Sequence, residues 1–120
     1  MTKEEFVKAM AAMVSNTAEF VSAKDSGLSD EARGDMYQLV TYKDGEPFFT
    51  DVTLDILAEE NEDPQIWIES ASAGGGVDVK AGSFESFLAT FDRLRIIREM
   101  IFGVDFKVVQ PGDIKNQDLE

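Results

Sequence analysis

Among the residues in this chain that could do chemistry, carboxylates are the most numerous class, 24 in all. Asp51 and Asp55 stand four apart in "FFTDVTLDI", a spacing that puts both on one face of a strand, since side chains alternate along it. A little further on, "EENED" gathers Glu59, Glu60, Glu62 and Asp63 around Asn61. Paired carboxylates can serve as acid and base in glycoside hydrolysis, provided one is held protonated in a pocket. Clustered carboxylates can hold a divalent cation through their oxygens. Neither pattern is complete here. Nothing signals a pocket around the Asp pair, and "EENED" lacks the alternating acids, central Gly and distal Glu of a calcium loop. The chain has no His and no Cys, which removes imidazole bases, thiolate nucleophiles, zinc ligands of either kind and disulfides. The triple glycine at 74–76 has no Lys-Ser/Thr pair at phosphate-loop spacing and reads as a mobile hairpin tip. No enzymatic activity, no cofactor and no dedicated metal site are expected.

Charge gives a more definite signal. Twenty-four acidic residues against 11 basic ones leave a net charge of −13, and residues 41–82 alone hold ten acidic and two basic side chains. Such a field repels phosphate backbones and anionic lipid, so neither direct nucleic-acid binding nor a membrane surface is expected. It favours rapid association with a basic protein partner. The predicted partner-binding surface comprises Asp51, Asp55, Glu59, Glu60, Glu62, Asp63 and Glu69 with the aromatics Tyr42, Phe49 and Trp67. In it, the rings supply binding energy and the carboxylates steer the encounter. The opening "MTKEEFVKAM" has no apolar signal core, and no run reaches membrane-spanning length. A cytoplasmic protein is expected, in the host cytoplasm if viral.

The elements that must position these residues follow from pattern. Thr2 and Glu5 form a capping box, and Phe6, Met10, Met13 and Phe20/Val21 give a helical apolar stripe through "TKEEFVKAMAAMVSNTAEFV". That stripe is read as core. Ser29 caps a short turn over 30–33. Asp44-Gly45 centres a two-residue hairpin turn, pairing Thr41 with Phe48, Leu39 with Thr50 and Tyr37 with Val52. Asp51, Thr53 and Asp55 then face away from the apolar side. "NEDP" is a turn, "QIWIES" a strand, and "AGGGVDVKAG" a flexible connection with room for a short strand at 77–79. Ser83 caps one long helix over 84–102, ended by Gly103, and "VDFKVVQ" makes a last short strand before Pro111-Gly112. The expected fold is α+β: an N-terminal helix, an antiparallel three- to four-stranded meander, a long C-terminal helix and a final short strand. Residues 1–112 form one domain, and 113–120 a mobile acidic tail.

Two features leave alternatives open. Trp67 either stands exposed beside Asp55 and Glu69 or is packed under the first helix. In the last helix the apolar stripe swings from Phe84, Phe87, Leu88 and Phe91 to Ile96, Ile97, Met100 and Ile101. Either two different surfaces cover that helix, the sheet first and then a partner or the first helix, or Arg95 and Arg98 lay their stems along the core edge and pair with Asp92 or Glu99. The first option admits a structural or assembly subunit of a homo-oligomer or viral particle. In size and charge the chain resembles small acidic inhibitors that occupy nuclease or nucleic-acid-binding surfaces, including bacterial immunity proteins and phage anti-defence proteins. That resemblance implies an inhibitor or mimic docking on a basic surface.

Overall fold

The computed structural model describes residues 1–23, 35–71, 74–102 and 108–109. In chain order these form α1 (Lys3–Ala12), β1 (Glu19–Ser22), β2 (Asp35–Lys43), β3 (Glu46–Leu57), β4 (Gln65–Ser70), β5 (Gly75–Lys80), α2 (Phe84–Arg93), α3 (Arg95–Phe102) and β6 (Val108–Val109). The fold is α+β. Strands β1 to β5 form an antiparallel sheet in chain order, and β6 adds to β3 at Phe49 and Thr50. The predicted turn at 29–33, the stop at Gly103 and the tail at 113–120 lie outside the described residues, as do the side chains of Arg95 and Arg98.

The first helix starts where its cap predicts. Thr2 Oγ1 accepts from the Glu5 N–H at 3.1 Å, and Glu5 Oε1 accepts from the Thr2 N–H at 2.8 Å. Two amides that the helix leaves unpaired are thereby satisfied. These bonds hold the Glu5 carboxyl below its usual range. The helix is shorter than the sequence pattern suggests. Ser15 Oγ accepts from the N–H groups of Thr17 and Ala18, so the chain turns there and Phe20 enters a strand. Local hydroxyl-to-backbone bonds of this kind compete with helix continuation.

The β2–β3 turn is as expected, with Asp44 and Gly45 both at positive φ (53° and 81°). The register holds from Lys43–Glu46 to Val40–Phe49 and then slips by two residues, so that Tyr37 faces Leu54 and not Val52. Side chains cover the backbone groups freed by the bulge. Thr50 Oγ1 donates to the Leu39 carbonyl at 2.8 Å and accepts from the Val52 N–H at 3.2 Å, while Gln38 Nε2 donates to the Thr50 carbonyl at 2.9 Å. A slip of two preserves which face each residue occupies; a slip of one would invert it.

The three described helices lie on one sheet face. Phe6, Val7, Met10 and Ala11 of α1, Phe87 and Phe91 of α2, and Ile101 of α3 are buried against Phe20, Leu39, Val52, Leu54, Ile56, Ile66 and Ile68. A run of ring contacts ties the helices together. Phe6 stacks on Phe84 at 4.8 Å and meets Phe87 edge-on at 5.7 Å, Phe87 stacks on Phe91 at 5.6 Å, and Phe91 meets Phe102 at 5.7 Å. The expected long helix is two helices. Leu94 leaves helical geometry (φ −79°, ψ 61°) and ends α2, whose N-terminus Ser83 and Ser86 cap reciprocally. The swing of the apolar stripe marks this break: α2 packs beside α1, and α3 packs across β4 and β5. The order is the reverse of the expected one: the first half meets the first helix and the second half meets the sheet. Among the described residues, no helix is long and apolar enough to cross a membrane.

Candidate partner-binding surface

The sheet face away from the helices carries the predicted carboxylates, and its register places them in cross-strand rows. One row runs Met36, Asp55, Trp67, Asp78 across β2 to β5, and the next runs Gln38, Thr53, Glu69, Gly76. Trp67 therefore lies between two aspartates, with Glu69 two residues along its own strand. The expectation that Asp51, Thr53 and Asp55 face solvent is overturned. They are on this face, but Asp51 is only 1% and Asp55 4% exposed, and Thr53 is buried too. Alternation set their face, but coverage depends on neighbours that the alternation does not encode.

Trp67 resolves the other way. At 36% it is one of the more exposed large apolar side chains, and it is not in the helix-side core. Ladder alternation explains its closeness to Asp78. The Ala81 N–H donates to the Pro64 carbonyl at 2.9 Å, so the hydrogen-bonded pairs of β4 and β5 fall at Val79–Ile66, Val77–Ile68 and Gly75–Ser70. Trp67–Asp78 is then a non-hydrogen-bonded pair, the kind whose side chains approach more closely. Gln65 Nε2 donates to Asp78 Oδ1 at 2.7 Å and fixes the carboxylate beside the ring. Glu69 is half-buried.

Glu59, Glu60, Glu62 and Asp63 are all exposed in the β3–β4 turn, just before the strand that carries Trp67. The turn is tight: the Glu62 N–H donates to the Glu59 carbonyl at 3.1 Å, and Asn61 adopts the left-handed conformation (φ 62°) that asparagine tolerates. Among the described residues no three acidic side chains converge to hold a metal ion. Tyr42 and Phe49 lie toward the opposite end of β3, roughly 20–30 Å away at strand rise. Phe49 is half-buried, and the exposed Tyr42 donates its hydroxyl to Glu19 Oε1. That bond raises the Tyr42 phenol above its ordinary range. These two aromatics do not share a site with Trp67.

Asp78 and Gln65 are the residues that sequence reasoning missed. They belong to the site because β5 is a full strand from Gly75 to Lys80, longer than the short strand read at 77–79. Its glycines hid the first half, and the alternation in "VDVK" signalled the rest. Gly76 has a local reason: a Cβ there would sit 2.4 Å from the Ile68 carbonyl oxygen. No protein-family model matches the chain, and no curated protein or solved structure is significantly similar to it.

Proposed function

We propose that this chain is a non-enzymatic binding protein that docks on the basic surface of a partner protein. It acts as an inhibitor or mimic at a nuclease-like or nucleic-acid-binding site, as immunity and anti-defence proteins do. One observation carries the reading. A partly exposed Trp67 sits among Asp55, Glu69 and Asp78, next to a turn presenting Glu59, Glu60, Glu62 and Asp63. An aromatic anchor ringed by like charges suits a cationic partner, since the ring supplies desolvated contact and the charges speed encounter.

Asp51 and Asp55 are unsuitable for testing this, because Lys at either buried position would damage the fold. The test uses the exposed carboxylates. A partner captured from a plausible host should lose affinity as salt rises and compete with duplex DNA for this chain. It should also bind a Glu59→Lys, Glu60→Lys, Glu62→Lys triple variant at least about tenfold more weakly. A captured partner indifferent to both salt and the triple variant would refute the reading.

A second reading, as a subunit of a homo-oligomer or particle, draws on Val79 and Leu94, which are large, apolar and exposed at the β5 edge of the molecule. Light scattering decides it. A monomer at high concentration excludes self-assembly.

A further inference from the structure

Among the described residues, strand β5 ends the sheet. It pairs with β4 on one side, and among the described residues no strand pairs with its other edge. Because Gly75, Val77 and Val79 bond to β4, the backbone groups of Gly76, Asp78 and Lys80 point outward, away from the sheet. Beside that edge, on the helix side, lies a groove of about 290 Å³ lined by Val77, Val79, Ala81, Phe87, Phe91 and Leu94. Its rims carry exposed apolar surface, with Val79 at 41% and Leu94 at 37%. The volume is just below the usual range for ligand pockets, about 300–1,000 Å³, and suits one or two aliphatic side chains better than a cofactor.

A strand added to this edge would present alternate side chains to the two faces of the sheet. Those on the helix side would enter the apolar groove. Those on the other side would lie beside Asp78 and Lys80, with Trp67 and Glu69 one strand further in. We infer that β5 and the α2 groove form a docking site for an extended segment of a partner protein, with alternating apolar and basic side chains. This deepens the function proposed above and rests on its basic partner. Charge selects this occupant over a second copy of the chain, since each copy brings a net charge of −13 to the contact.

The probe is a capped peptide of alternating Val and Lys, six residues long to match β5. Binding to the full chain is followed by fluorescence polarisation and by amide shifts in NMR. Saturable binding is expected, with the largest shifts at Gly76, Asp78 and Lys80. Two controls isolate strand addition. A peptide N-methylated at alternate amides cannot complete the ladder and should bind at least about tenfold more weakly. Asp78→Pro should bind more weakly than Asp78→Asn, which loses the same charge but keeps the N–H, and should leave the β4–β5 ladder intact, because the N–H it removes points outward. Thermal melting checks that this variant folds.

Absence of binding, or binding indifferent to both N-methylation and Asp78→Pro, overturns strand addition. In that case the charge-reversal test at the β3–β4 turn still decides the broader function. Equal binding of a Val/Ser peptide would overturn the basic half of the inference, while the charge-reversal test at the β3–β4 turn would still decide the broader function.

Discussion

The two faces of β3 carry opposite chemistry yet are equally inaccessible. Toward the helices stand Val52, Leu54 and Ile56, and away from them stand Asp51, Thr53 and Asp55, all six buried. Apolar–polar alternation is usually read as inside against outside. Here it separates an oily interior from a polar one. The two interiors are stabilised differently: the first by area removed from water, the second only insofar as its charged and polar atoms find partners. The same substitution size should therefore have unequal consequences on the two sides.

The largest effect is expected at Asp55. Asp55→Lys puts an ammonium into a buried site of opposite polarity and should cost more than about 3 kcal/mol, enough to unfold a marginal domain. Leu54→Ala, its neighbour on the other face, should cost about 2–5 kcal/mol through lost burial and a cavity. Urea denaturation with unchanged m-values would measure both. If Asp55→Lys proved as mild as a surface change, roughly within 0.5 kcal/mol, that face would be open in solution and the comparison would fail.

A smaller effect is expected at Trp67, the place where the polar face opens. Trp67→Ala should cost about 1–2 kcal/mol, between a surface change and full loss of a buried ring. As the only Trp, it also reports directly. Its emission should lie between those of buried and free indole, and acrylamide should quench it. A blue, protected emission would place it in an interior and close the candidate surface.

The smallest effect is spectroscopic. The chain has two tyrosines, and both phenols are shifted upward from 10.0, Tyr37 chiefly by burial and Tyr42 chiefly by its bond to Glu19. A raised pKa means that the folded state holds the proton. Each tyrosine's contribution is then complete below pH 10 and is lost as pH rises through the folded value. Alkaline titration by tyrosinate absorbance should place both phenol midpoints above 10.0 while the fold persists. In Glu19→Gln, Tyr42 should titrate earlier and Tyr37 should not.

Much of this architecture could be read from local signals. Thr2 with Glu5, Ser83 before a helix, and Asp44-Gly45 each specify a backbone conformation within a few residues. The misreadings share one cause, in that they depended on distant neighbours. Phe20 continues the helical spacing of α1 yet pairs as a strand with Leu39. Leu94 breaks a helix with no Gly or Pro to announce it, and only the swing of the stripe betrays the change of packing partner. The bulge opposite Leu39 was invisible because a two-residue slip leaves the pattern unchanged. At the candidate site, the β3–β4 turn and Trp67 were legible as acidic and aromatic. Asp78 lay in a stretch read as at best a short strand, so its pairing with Trp67 was missed, and the burial of Asp51 and Asp55 could not be inferred from alternation.

Every strand from β1 to β5 pairs with its neighbour along the chain, whereas α1 meets α2 through Phe6 and Phe84, nearly eighty positions apart. These two kinds of contact close loops of very different length, so they should form at different times. Hairpins around Gly45 and Gly74 need little chain to be gathered and belong to the early part of folding. The docking of α1 on α2 requires the intervening meander to be gathered first. Gly45→Ala, which strains a position at φ 81°, should slow refolding. Phe6→Leu should leave the refolding rate nearly unchanged and accelerate unfolding instead. Stopped-flow chevrons of the two variants would show the ordering. A slowed folding limb for Phe6→Leu would place the N-terminal helix in the nucleus, with the sheet assembling around it.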